Sequence, residues 1–595
     1  MSRNDAVADE LETLADFLEA RGVAYKPQTY RTAAANVRDY PEDVKSLAER
    51  DALGDIEGVG DAIAAKIAEF VETGDIEALE SERADLPVEM AALTRVEGVG
   101  PKTVKQLYDA LGIQDLDDLE AAAENEEIRE VKGFGPKTES NIAEKIPFAR
   151  QSGQRERLGD ARPLGADGVE FLRSLDAVER VDVAGSLRRW KPTIGDVDLL
   201  AASADDEAVI DAFAGWERAE EVIEAGTNKA SVRVNGVRVD VRVVDPSEFG
   251  AALQYFTGSR EHNIRLRTHA VGMERKVNEY GVFDVSDVED PDSGEGTNGS
   301  RTPSDSSDGR QRVGERVAGE TEAGVYDALG LPHIEPELRE DTGEIDAAKS
   351  GALPNLLEEA DVRGDLHTHT ERSDGENTVE ELVAAAESFG HDYLAVTDHG
   401  EGPGVFGDSG LDADALDDHR EHIREVDADS DIDVFAGIET NIDADGNVES
   451  LPDSALAKLD IVVASPHSAL EGDATERLIR AIEHEHVEVL GHPTGRLINQ
   501  RPGVDVDAER VGNAAADAGV ALEVNANPAR LDLAGEQVRA AIDAGATVVV
   551  NTDAHSPAEF EHLTYGVHTA RRGWAEPDSV LNAWDVGAVR EFLGL

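Results

Sequence analysis

The segment Gly195-Asp196-Val197-Asp198-Leu199-Leu200 sets two carboxylates two residues apart in an otherwise apolar run. On a β-strand, residues i and i+2 face the same side, so Asp196 and Asp198 project together while Val197 and Leu199 pack the other face. Two like charges side by side are costly unless a cation sits between them. A third acid, Asp240, lies in the strand-like run Arg238-Val239-Asp240-Val241-Arg242 and completes a site suited to two Mg2+ ions. Ahead of the pair stands Gly185-Ser186-Leu187-Arg188-Arg189, read as a turn from a strand at 181–184 into a helix. Its Gly185, Ser186 and Arg189 are placed to hold a triphosphate. Gly-Ser, then Asp-x-Asp, then a distant strand Asp is a pattern for nucleotidyl transfer, in which ions activate a primer hydroxyl and steady the leaving pyrophosphate.

A second constellation is built from histidine, since 13 of the 16 His lie beyond residue 360. Seven short apolar runs there, RGDLHTH, YLAVTDH, VFAGIET, DIVVASPH, VEVLGHP, ALEVNAN and ATVVVNTDAH, end in polar residues and are separated by helical stretches. That alternation predicts a parallel barrel with its site at the strand C-terminal ends. His367 and His369 are expected two apart on one strand face, as are Asp553 and His555. With Asp374, His399, Glu439, His467 and His492 they make nine N/O ligands, enough for two or three divalent ions. Imidazole mixed with carboxylate suits Mn2+ or Zn2+. His391, His419, His484 and His486 are read as structural. The absence of Cys excludes thiolate metal sites, disulfides and cysteine nucleophiles.

Residues 1–150 have a helical pattern and repeat one device: IEGVGDAIAAKI, VEGVGPKTVKQL and VKGFGPKTESNI. Each puts Gly-x-Gly at the start of a helix, where bare backbone N–H groups and the helix dipole favour an anion. Gly58, Gly60, Gly98, Gly100, Lys102, Gly133, Gly135 and Lys137 are the expected contacts to a DNA phosphate backbone. Six of the chain's 13 Lys fall between residues 56 and 150. The overall charge, −70 from 126 acids against 56 Lys and Arg, would ordinarily argue against such a partner. It runs through the whole chain, however, and reads as adaptation to molar salt, where charge is strongly screened. The opening MSRNDAVADE is charged, and no apolar run approaches the ~20 residues of a membrane span. A soluble cytoplasmic monomer with no membrane contact is expected.

The hairpins, the GSLRR/GDVDLL pair and YFTGSREHNIRLR at 255–267 follow one another as in the family X DNA polymerases, which the chain resembles over nearly its whole length. The resemblance implies a multi-domain protein. An α-helical helix-hairpin-helix region comprises a lyase-like domain (1–85) and fingers (86–150). An α+β nucleotidyltransferase palm (151–254) and a thumb (255–340) follow, the thumb carrying a disordered acidic insertion at about 286–316. A linker (341–360) leads to a C-terminal PHP domain (361–595), a (β/α)7 TIM-like barrel. It further implies gapped or primer–template DNA and dNTPs as partners, and base-excision-type gap filling. Arg238 would sit beside the third carboxylate. Tyr255, Phe256 and Gly258 would line the sugar pocket, Asn263 would touch the base edge and Arg267 the template side. Lys66 matches the lysine that forms a Schiff base in repair members, although a lone helix lysine is equally at home on a phosphate.

In the PHP domain the resemblance implies His367, His369, Glu439 and Asp553 around one ion, Glu439, His467 and His492 around a second, and Asp374, His399 and His555 around a third. Hydrolysis of a phosphodiester or phosphomonoester at a DNA 3′ end would follow. Arg372 stands where the family usually has an aromatic before Ser-Asp-Gly. The rival readings are a DNA-targeted phosphoesterase with an inactive polymerase module and a DNA-binding scaffold with two decayed sites.

Overall fold

The computed structural model describes residues 3–23, 26–38, 44–50, 52–56, 58–74, 76–96, 98–152, 155–288, 312–402, 410–448 and 451–595. They form two compact units, one of residues 1–156 with 499–502, the other of residues 157–498 with 503–595.

The first unit is helical. In each hairpin the first glycine takes a left-handed φ, +75° at Gly58, +86° at Gly98 and +100° at Gly133. A chain reversal follows, closed by N–H to C=O bonds from Val59 to Ile56, Val99 to Val96 and Phe134 to Val131 at 3.1, 2.8 and 3.0 Å. The second glycine precedes a helix: α1 (Asp61–Thr73), α2 (Pro101–Leu111) and α3 (Pro136–Ser152). One continuous core holds Leu11, Ile67, Leu107 and Ile142 together, so the expected border at 85/86 is not a break in packing.

The second unit holds the palm, thumb and barrel. Helix α4 (Leu158–Arg173) covers a five-stranded palm sheet of β1 (Arg180–Val183), β2 (Val197–Ala202), β3 (Glu221–Ala225), β4 (Lys229–Val234) and β5 (Val237–Val244). Its order is β1-β2-β5-β4-β3. The alternating valines of VRVDVRVV put Val239 and Val241 in the core and make β5 a central strand. Strand β2 runs parallel to it with Asp198 directly opposite Asp240.

The thumb contains α5 (Phe249–Thr257), α6 (Arg260–Val271) and an antiparallel sheet of β6 (Arg275–Asn278), β7 (Gly281–Asp284) and β8 (Glu315–Ala318). Two expectations are corrected here. The polar insertion does not extend to residue 316, because Val313 is buried and β8 pairs with β7 from Glu315 onward; residues 289–311 lie outside the described residues. Nor is 341–360 a linker. It includes α7 (Glu344–Ser350), whose Ile345 and Ala348 belong to the thumb core and whose buried Glu344 meets His262 Nδ1 at 2.6 Å.

The barrel has seven parallel strands in sequential order: β9 (Gly364–Asp365), β10 (Tyr393–Val396), β11 (Asp433–Asn441), β12 (Ile461–Ser465), β13 (Val489–Leu490), β14 (Ala521–Asn525) and β15 (Val548–Asn551). The two edges meet just beyond the strands, where His369 N–H donates to the Ala554 carbonyl at 2.8 Å. His367 and His369 therefore lie in the loop after a two-residue β9, and Asp553 and His555 in the loop after β15, rather than on strand faces.

Candidate metal centres

In the palm, Asp196, Asp198 and Asp240 each offer a carboxylate oxygen within 4.8 Å of the others. Asp196 precedes β2; the other two are cross-strand neighbours. Burial and the charges of Asp196 and Asp240 push the Asp198 carboxyl up to about 7. Burial works against ionising Asp240 too, but Arg238, Ser231 and Lys229 outweigh it and hold this carboxyl below its usual range. Arg238 Nε lies 2.7 Å from Oδ1 and Lys229 Nζ 3.0 Å from Oδ2. One carboxyl that resists ionisation beside one that has recruited two cations is the electrostatics of a site built for added positive charge. The Gly-Ser turn is docked on it: a Cβ at Gly185, φ +61°, would sit 2.1 Å from Asp198 Oδ2.

In the barrel the nine predicted ligands converge, with regroupings. His367, His369 and Asp553 form one cluster; His399, Glu439 and His467 a second; His369, Asp374, His399 and His555 a third. His399 and His369 are thus shared between clusters, while His492 reaches Glu439 Oε1 at 3.0 Å. His367 Nε2, His369 Nδ1, His399 Nδ1 and Glu439 Oε2 are buried polar atoms without hydrogen-bond partners among the described residues, each costing on the order of 1–3 kcal/mol. His399 Nδ1 and Glu439 Oε2 approach to 2.7 Å without hydrogen-bond geometry. Orphaned lone pairs aimed at shared points are what cations would satisfy, so the donor set fits divalent ions. Burial opposes a charge on His367, yet Glu523, Glu439 and Asp553 raise its imidazole well above the usual range. The pocket stabilises positive charge there.

Models of known families match four segments: a helix-hairpin-helix domain at 2–76, a SAM-like helix-hairpin-helix tandem at 90–146, the DNA polymerase beta thumb at 252–340 and the PHP domain at 365–527. A Bacillus subtilis (strain 168) protein named DNA polymerase/3'-5' exonuclease PolX is 32% identical over 591 residues, covering 98% of each chain. The chain belongs to the PHP-bearing family X DNA polymerases. Other relatives match only part of this family X polymerase. A probable phosphatase of Thermoanaerobacter sp. (strain X514) is 28% identical over 38% of this chain and 93% of its own length. DNA polymerase lambda of Rattus norvegicus is 24% identical over 56% of each.

The remaining predicted residues of this family X polymerase are placed as follows. Ser186 is half-buried in its turn, and Arg267 is exposed on α6. Arg189 points to the thumb, with Nε on Glu340 at 2.9 Å and Nη1 on the Thr257 carbonyl at 2.7 Å. Tyr255 and Phe256 sit edge to face, 5.2 Å apart, at the end of α5. Asn263 does not present a free amide: Nδ2 donates to the Tyr255 and Gly258 carbonyls and Oδ1 accepts from Gln254. Gly258 is needed because a Cβ there would lie 2.8 Å from Asn263 Oδ1. In the first unit, no atom of the described residues within 4 Å would meet a Cβ at Gly60, Gly98, Gly100, Gly133 or Gly135, so those backbones are open to a ligand. Lys137 is exposed, as is Lys102, 3.5 Å from Glu19. Lys66 lines an open pocket of about 750 Å3 with Lys26 and Tyr30.

Several functional residues escaped sequence reading. Arg188 pairs with Glu322 through both its Nη atoms at 2.8 and 2.7 Å, and the fully buried Arg339 adds 2.6 Å, bracing palm against thumb. Asp398 accepts from Thr370 and Ser373, with His419 Nε2 at 2.7 Å, and shapes the loop between His369 and Asp374. Glu523, buried on β14, takes His367 Nδ1 at 2.7 Å and the His492 N–H at 2.6 Å. A carboxylate accepts, so Nδ1 carries the proton and Nε2 presents its lone pair to the cluster. Glu523→Gln is expected to lower metal affinity and metal-dependent hydrolysis about 10- to 100-fold, measured by metal titration and turnover.

Proposed function

We propose that this chain is a template-directed DNA polymerase that fills short gaps and trims 3′ ends with a 3′–5′ exonuclease in its barrel. The observation that carries the reading is the triad of Asp196, Asp198 and Asp240, gathered across β2 and β5 beneath the Gly-Ser turn. Mg2+ bound there would supply Lewis-acid activation of the primer hydroxyl and charge stabilisation of the leaving pyrophosphate. Arg238 and Lys229 limit the excess negative charge at Asp240, and the turn brings Ser186 to the triphosphate. The edge-to-face pair of Tyr255 and Phe256, set by Asn263, forms the wall beside the sugar. The exposed hairpin backbones, with Lys102 and Lys137, grip DNA phosphates without reading sequence. In the barrel, two or three Mn2+ or Zn2+ ions would be held by the nine ligands, and Glu523 and Asp398 keep those ligands oriented. The lyase reading rests on Lys66 and its pocket. Base-excision repair in a salt-rich cytoplasm, by a monomer, fits the acidic surface.

The test is a duplex with a single-nucleotide gap, in molar KCl with Mg2+. Addition of the one templated nucleotide is expected; digestion without any addition would sink the polymerase assignment. The probable-phosphatase relative favours a second activity in the barrel, phosphomonoester cleavage. A 3′-phosphorylated oligonucleotide that releases inorganic phosphate before any shortening would support it.

A further inference from the structure

The nucleotide-binding turn ends in Trp190, whose φ of +54° is left-handed backbone that a bulky residue rarely adopts. Glycine is the ordinary occupant of such a position, so an indole there needs a reason. Two groups lie on its ring: the Arg162 guanidinium at 3.4 Å and the His568 ring at 3.6 Å, nearly parallel. Groups that close cannot share a face, so the indole is sandwiched, and Tyr565 meets it edge-on at 6.0 Å. His568 and Tyr565 belong to the barrel, on α8 (Leu563–Arg572). The last residue of that helix, Arg572, donates Nη1 to the carbonyl of Arg189 at 2.6 Å and reaches Glu340 Oε1 at 3.3 Å. The same carboxylate oxygen takes Arg189 Nε at 2.9 Å and Lys191 Nζ at 3.5 Å. Arg572 is 11% exposed, Arg189 13% and Glu340 17%, so water competes weakly for these contacts.

We propose that helix α8 of the PHP barrel, through Arg572 and His568, is a positioning element of the polymerase's nucleotide-binding turn. This rests on the reading of Arg189 as a triphosphate contact. To swing onto a triphosphate, Arg189 must give up both the Thr257 carbonyl and Glu340, and a half-buried carboxylate stripped of its partner is costly. Arg572 and Lys191 remain on Glu340 and make that departure feasible, while the bond from Arg572 to the Arg189 carbonyl keeps the backbone in place. Without Arg572, Arg189 becomes Glu340's main partner and its carbonyl loses a donor. Both changes weaken nucleotide binding.

The experiment uses the full chain with its divalent ions, on a single-nucleotide gap. Arg572→Ala is expected to raise KM for the nucleotide about tenfold with kcat within about threefold, and to leave 3′ digestion by the same preparation unchanged. Arg572→Lys, which keeps a donor, should recover part of the loss. If Arg572→Ala does not fold, His568→Ala, which removes the stack on Trp190, carries the same expectation. Unchanged KM in folded variants overturns the proposal. So does a joint fall in kcat, digestion and Tm, which would mark general loosening. Arg189→Ala separates the two readings: unchanged KM there removes the triphosphate role itself, whereas raised KM there with unchanged KM in Arg572→Ala removes only the coupling.

Discussion

Asp198→Asn is expected to abolish nucleotide addition, by on the order of 10^3-fold or more, while leaving 3′ digestion intact. The loss follows from removing a carboxylate placed opposite Asp240 and within reach of Asp196, since an ion held by this triad supplies several kcal/mol of transition-state stabilisation. The same substitution should have an opposite effect on stability when divalent ions are chelated. Asp198 ionises at about 7 in the folded chain and at 3.8 in an ordinary setting. Between those values the folded state binds more protons than the unfolded one, so stability falls as pH rises through the window. At about 1.4 kcal/mol per unit, the cost at pH 8 is on the order of a few kcal/mol. Asp198→Asn cannot ionise and removes it. Thermal unfolding in EDTA should therefore give a higher Tm for the variant than for the parent at pH 8, with the two converging toward pH 4. Added Mg2+ should raise the parent's Tm and barely move the variant's. A variant that melts below the parent at pH 8 in EDTA, or still extends primers, would show that the triad is not a cation site.

What could be read in the sequence was local. Asp196 and Asp198 betray themselves by a two-residue spacing among valines and leucines, the hairpins by Gly-x-Gly, and the barrel ligands by apolar runs that end in His, Asp or Glu. In each case spacing marks the candidate residues, while the loops after the strands decide which barrel ligands share a cluster. Contacts set by tertiary register were invisible. Glu523 reads as one acid in ALEVNAN, and nothing nearby indicates that β14 will turn it onto His367, 156 residues away. DTGEIDAAKS looks like a polar link, yet Glu344 is buried against His262 across 82 residues. Nor does the sequence show that Asn263, expected at a base edge, donates Nδ2 to the Tyr255 and Gly258 carbonyls and accepts from Gln254 in the bend between α5 and α6. The left-handed backbone of Trp190 has no sequence signature, because its stabilising partner, His568, comes from another domain.

Glu439→Gln should empty the barrel of at least one ion and lower 3′ digestion on the order of 10^3-fold, with gap filling unchanged. Glu439 is the hub of the cluster. Its Oε1 lies 3.0 Å from His492 Nε2, 3.3 Å from His467 Nε2 and 3.4 Å from His367 Nε2; its Oε2 lies 2.7 Å from His399 Nδ1 and 3.7 Å from His369 Nε2. Full burial opposes its charge, yet His467, His399 and His367 hold the carboxyl well below its usual range. An amide of the same shape keeps the packing but cannot balance a dication in a dry pocket. Any single histidine has neighbours that can take over part of its coordination, whereas this carboxylate touches ligands of all three clusters. The pH dependence gives an independent check. Burial disfavours the imidazolium, but Glu439 and Asp374 raise His399 to about 10, and Asp374 and Asp553 raise His555 to about 9. A nitrogen ligates only after losing its proton, so protons compete with the ion, and apparent metal affinity should climb from pH 7 toward those values. In Glu439→Gln only Asp374 still pulls on His399, so whatever affinity remains should climb less steeply. Equal slopes with undiminished metal content would show that the histidines hold their ions without this carboxylate.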